Sequence, residues 1–152
     1  MKNKIIISLL LVVLVAIVFT ACAGNNANEN STKTKCTISV SVDGNYILDG
    51  YEYDAVATNV LQAAADALLL NDIDYEFDSN GKSFAMIKDV DGTEYASGQD
   101  AEGKNICAWV PTVNNEEPKS RAGDIKLEEG MVIEFTYFRE PIVTSDNSET
   151  DE

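Results

Sequence analysis

Histidine is absent from all 152 residues. That removes Ser–His–Asp and Cys–His nucleophilic chemistry and every His-ligated metal site. Basic residues are scarce: 11 Lys and Arg stand against 26 Asp and Glu, a formal charge of −15. Such a surface repels nucleic acid and anionic headgroups, so neither is expected as a partner. There is one tryptophan, and only three cysteines and three prolines. With so few, the position of each one carries weight.

What is present begins with "MKNK", a short basic region, followed by the uncharged apolar run "IIISLLLVVLVAIVF". A basic start, an apolar segment and small residues before a cut are the parts of an export signal. The apolar run is short for a membrane span, which needs about 20 residues. Phe19, Thr20, Ala21 and Cys22 resemble the lipobox of bacterial lipoproteins, departing only at the leucine position. The resemblance implies cleavage before Cys22 and lipidation of that cysteine. The protein would then be anchored on the extracytoplasmic face of the cell membrane. Each buried CH₂ of an acyl chain contributes about 0.8 kcal/mol to such anchoring. Loss of residues 1–21 removes Lys2 and Lys4, so the mature charge is −15 − 2 = −17.

Residues 22–35 include "AGNNANENSTKTK", polar and without apolar periodicity, and read as a flexible tether. Residues 140–152 end in "VTSDNSETDE" and read as a disordered acidic tail. Residues 36–139 remain as one domain of ordinary size, with no internal repeat.

In "CTISVSVDG", Ile38, Val40 and Val42 alternate with Thr37, Ser39 and Ser41, the mark of a half-buried strand. "YILDGYEYDAV" suggests short extended pieces around a turn at Asp49–Gly50. "ATNVLQAAADALLLND" is a strong helix. Thr58 or Asn59 can cap its start, Val60, Leu61, Ala64, Leu68 and Leu69 form its apolar stripe, and Asn71–Asp72 can end it. "FAMIKDVDG" is strand-like, "TEYASGQDAEGKN" a Gly-rich loop, "ICAWVPTV" a strand holding a proline, and "AGDIKLEEG" a connection. "MVIEFTYF" is a last strand, with Ile133, Phe135 and Tyr137 alternating with Val132, Glu134, Thr136 and Phe138. Strands, one helix, then strands predict an α+β domain with the helix laid on a sheet.

Glu76, Asp78, Asn80 and Gly81 approach the spacing of a calcium loop, but its twelfth position is Ile87 where a bidentate Glu is needed. The segment reads as a turn, and no metal site is expected. Carboxylates are plentiful, yet spacing selects no acid–base pair, so no catalytic residue is named and an enzyme is not expected. Cys36 and Cys107 would lie where disulfides persist. They are read as a bridge, the alternative being two buried thiols. Trp109 has two readings, core packing or the face of a ligand site. Pro111 lacks an N–H, so its strand should be an edge, and Asn114–Asn115 can turn through left-handed conformations.

"ATNVLQAAADAL", "MIKDVDG", "WVPTVNNEEP" and "RAGDIKLEEGMVIEFTY" follow one another in an order that resembles the DUF4430 family, the transcobalamin-like C-terminal domain. Trp109 falls at the family tryptophan and Val113–Asn114 at its Val–Asn; Asn115 replaces a glycine and Met131 an aspartate. The resemblance implies a β-grasp-like domain, a mixed sheet with one helix on a face. It also implies a ligand site at Trp109, Val110, Pro111 and Asn114, for cobalamin or a related flat corrinoid. No resident cofactor is expected. The alternative is a cell-surface protein- or glycan-interaction module without a small-molecule ligand.

Overall fold

The computed structural model describes residues 33–143. The export signal, Cys22, the tether up to residue 32 and the acidic tail from residue 144 lie outside them. Among the described residues no helix is long and apolar enough to cross a membrane.

Eight strands and one α-helix make up the described domain. They are β1 (Thr34–Val42), β2 (Asn45–Ala55), α1 (Val60–Leu70), β3 (Asp74–Phe77), β4 (Phe84–Lys88), β5 (Glu94–Ala96), β6 (Gly98–Gln99), β7 (Asn105–Val113) and β8 (Met131–Pro141). The large sheet has the order β2-β1-β8-β7-β6, and a small one the order β3-β4-β5. β1 and β8 run parallel at the centre, with Ile38 beside Ile133 and Val40 beside Phe135. The other pairings are antiparallel. This is the α+β, β-grasp-like arrangement expected from the sequence. The sheet begins at Thr34 and ends at Pro141, two residues beyond the expected bounds at each end.

Period-two alternation explains the layers. Ile38, Val40, Ile133, Phe135 and Trp109 are all buried and share one face. Against that face lie α1 and the small sheet. Phe84 of β4 meets Phe135 edge to face, with ring centroids 4.9 Å apart. Helix α1 forms because an Ala- and Leu-rich run has little competing for its backbone. Asn59 caps it, its Oδ1 accepting from Gln62 N at 2.8 Å. Val60, Leu61, Ala64 and Leu68 are buried as the stripe requires. Leu69 is the exception: it is 56% exposed and belongs to the outer side of the helix.

Three further expectations need correction. β2 is one strand of 11 residues, not two pieces about a turn. Asp49–Gly50 makes a bulge, where the register with β1 shifts and Gly50 N donates to Ser39 Oγ at 3.0 Å. The Gly-rich loop after residue 92 contains two short strands, β5 and β6. The third correction is the disulfide. Cys36 and Cys107 are both free and buried. Cys36 is level with Met131 on β8, and Cys107 with Arg139. At about 3.3 Å per residue those levels lie roughly 26 Å apart along the strand. A bridge needs Cα atoms within about 7 Å. Instead the Cys36 thiol donates to the Tyr53 carbonyl at 3.6 Å.

Gly123 has a steric reason to be glycine. Its N–H bonds Lys82 O at 3.0 Å, and a Cβ there would come 2.9 Å from Lys82 Cα. This contact pins the "AGD" turn, residues 122–124, to the start of β4.

Candidate binding surface

The second face of the large sheet carries no layer among the described residues. Its side chains form rows across the strands, fixed by register. One row runs Tyr46, Ser41, Thr136, Val110; the next runs Ser39, Glu134, Thr112. Beyond the first row, toward the β8 C-terminus, lie Phe138 beside Ala108 and Glu140 beside Ile106. Phe138 and Ile106 are 53% and 55% exposed.

The face therefore has two parts. Ile106, Ala108, Val110 and Phe138 form an apolar shelf, edged by Glu117 and Glu140, around a depression of about 300 Å³. Beside it is a polar patch. Ser41 is buried, and its Oγ lies 3.3 Å from both Glu134 Oε1 and Thr136 Oγ1. The Glu134 carboxylate pushes the neighbouring Tyr46 phenol up from its ordinary pKa. Shelf and patch lie flat and open, which suits a planar partner or another protein better than an enclosed small molecule.

The residues expected to bind ligand are divided by this geometry. Val110 is on the shelf. Trp109, its neighbour in the chain, points to the opposite face and is only 5% exposed. Its Nε1–H donates to Tyr95 O at 2.9 Å, and its ring packs against Tyr137 with centroids 5.1 Å apart. An open stacking ring at Trp109 is thus corrected to a hydrogen-bonded core residue. Pro111 is opposite Phe135 at the outer margin of the sheet. There β6 reaches only as far as Cys107, while Val113 is engaged by Glu116. Trp109, Val110 and Pro111 border a second shallow depression of about 280 Å³ beneath residues 117–122. Asn114 is not part of it. It sits in the turn after β7 with φ 54°, and its Oδ1 accepts from Val132 N at 3.0 Å.

The calcium-like segment is a turn held by its own carboxylate. Asp78 Oδ1 accepts from Lys82 N at 2.8 Å and from Ser83 N at 3.4 Å. These backbone bonds, the Lys82 one foremost, hold the Asp78 carboxyl below the usual range. Among the described residues no group of three or more Cys, Asp or Glu is placed to hold a metal ion.

Residues 57–139 match the family model described as a domain of unknown function, DUF4430. The chain belongs to that family, as its motif order suggested. The match starts after β2, so the first two strands lie outside it. No curated protein matches the chain. A solved structure similar to it is that of a protein from Ruminococcus gnavus ATCC 29149, described as a "putative metal binding protein". The two are 18% identical, with a TM-score of 0.45, and the alignment covers 71% of this chain and 99% of the other.

Proposed function

We propose that the protein is a lipid-anchored, extracytoplasmic binding module that works by holding a partner rather than by catalysis. The observation that carries the reading is the open face, where Ile106, Ala108, Val110 and Phe138 form an exposed apolar shelf on a rigid sheet. The absence of histidine supports a non-catalytic role, and the lipobox-like residues around Cys22 support the anchor. Corrinoids are the ligand class that the family resemblance suggests. The shelf would lie against one flat side of such a ligand through area burial. It would cover only part of it, so affinity is low unless a second protein closes the other side.

Titrating cobalamin into the full chain tests the ligand. Trp109 lies just behind the shelf, so an absorbing ligand seated there quenches its emission, and Phe138→Ser weakens the effect. Silence in both fluorescence and calorimetry up to millimolar ligand removes corrinoids and leaves the protein- or glycan-interaction module. Metabolic labelling with an alkyne fatty acid tests the anchor: label should enter the wild type and be lost in Cys22→Ala.

A further inference from the structure

The two margins of the large sheet are unlike. On the β7 side, Pro111 has no N–H to offer, β6 covers Cys107, and Val113 is taken by Glu116. On the other side β2 pairs with β1 alone, and among the described residues its outer edge is unpaired. The direction of the backbone groups there can be read from β1. Lys35 N donates to Glu129 Oε2 at 2.8 Å, and Lys35 O accepts from Gly130 N at 2.8 Å. Both groups of Lys35 therefore point toward β8. Along a strand the direction alternates, so Cys36 and Ile38 point toward β2, where their partners are Tyr53 and Tyr51. Glu52 and Asp54, between and beyond those partners, must turn their N–H and C=O outward.

From this we infer that the Tyr51–Ala55 half of β2 accepts an added strand from another protein, a basic extended segment with lysine or arginine at alternate positions. Strand addition uses free main-chain groups for affinity and alternate side chains for selectivity. Glu52 and Asp54 supply the free groups and the charge. A hollow of about 360 Å³ lies over the paired starts of these strands, between Glu52 and Asp54 of β2 and Lys35, Thr37 and Gly130 on the inner side. Glu129 reaches Lys35 N beside it. At the edge itself Glu52 and Asp54 leave a negative charge, while Lys35 stands one strand in, opposite Asp54, and Glu129 lies beyond it toward β8. A second copy of this chain would set Glu52 and Asp54 against their own kind, which disfavours self-pairing. The edge is separate from the apolar shelf, so the inference holds whatever the shelf binds.

The test uses the full chain in non-ionic detergent and a fluorescein-labelled seven-residue peptide alternating lysine and valine. Saturable anisotropy is expected, with slowed amide exchange confined to β2 from Tyr51 to Ala55. Glu52→Lys should weaken binding about tenfold, ~1.4 kcal/mol, and erase the preference for this peptide over a glutamate–valine one. Asp54→Pro should abolish binding while exchange in β1 and β8 stays unchanged, because the N–H it removes bonds nothing in the domain. If that variant fails to fold, the loss of peptide preference in Glu52→Lys still decides. No binding at millimolar peptide overturns the inference. So does binding that survives a folded Asp54→Pro, and so does β2 protection that rises with protein concentration in the absence of peptide.

Discussion

Along β8, Ile133, Phe135 and Tyr137 turn toward α1 and the small sheet, while Val132, Glu134, Thr136 and Phe138 turn toward solvent. The strand is the same and the backbone is the same; only parity differs. On the covered side the polar atoms of the two buried rings, Tyr137 and Trp109, have partners. Tyr137 Oη donates to Ala96 O at 2.8 Å, as Trp109 Nε1 does to Tyr95 O. β5 is thus the acceptor rail for the two buried rings. On the open side, Phe138 and Ile106 lie exposed without any such support. Residues that hold the fold and residues free to serve a partner alternate one by one.

Substitutions can test that contrast. Phe135→Ala should cost about 3–5 kcal/mol, because it empties a fully enclosed site between Val40 and Phe84; urea denaturation measures it. Trp109→Phe removes ring volume and strands the Tyr95 carbonyl, for a loss of about 2 kcal/mol. A loss under half that would mean the indole is held less firmly than its hydrogen bond implies. Alkaline pH should act on the covered side as well. Burial, with Glu129 and Asp54 adding to it, pushes the Cys36 thiol from 9.0 up to about 11. Burial and the Cys107 contact push the Tyr137 phenol from 10.0 up to about 12. Both groups are held protonated by folding. Their stabilisation is complete below pH 9 and is lost as pH climbs from there to about 12. A denaturation series across that range should fall, and Cys36→Ala should flatten its lower part. Phe138→Ser on the open side should change stability by no more than about 0.5 kcal/mol. A large loss there would mean the shelf is part of the core after all.

Much of this arrangement is legible in the sequence. Alternation in "TISVSV" and "VIEFTYF" assigns faces to β1 and β8 correctly, since a strand buried on one side must alternate. The helix and its Asn59 cap are equally plain. The small sheet is not. β3 reads Asp-Tyr-Glu-Phe and β6 is Gly98–Gln99; such short, polar pieces become strands only because neighbours pair with them. Leu69 is exposed because it lies two turns on from the exposed Gln62, just outside the buried arc of Leu61, Ala64, Ala65 and Leu68. Trp109 is the instructive case: of its two readings, core packing is the one that holds. Its parity matches Cys107, and Pro111 drew attention to the margin, but the acceptor that buries the indole comes from Tyr95, in a segment that looks like loop. The disulfide failed for a related reason: membership of nearby strands says nothing about level along them.

The parallel pairing of β1 with β8 has a mechanical side. The chain enters the domain at one end of this central pair and leaves it at the other. A pull between the two ends of the domain therefore runs along the strands. It loads the row of backbone bonds from Cys36–Met131 to Val42–Tyr137 together, in shear, and cannot peel them open singly. To yield, Ile38 and Val40 would have to slide past Ile133 and Phe135 inside a packed layer. By contrast, a pull across the β1–β2 hairpin would open its bonds one after another. Force borne along the axis of the sheet meets the strongest direction the domain has.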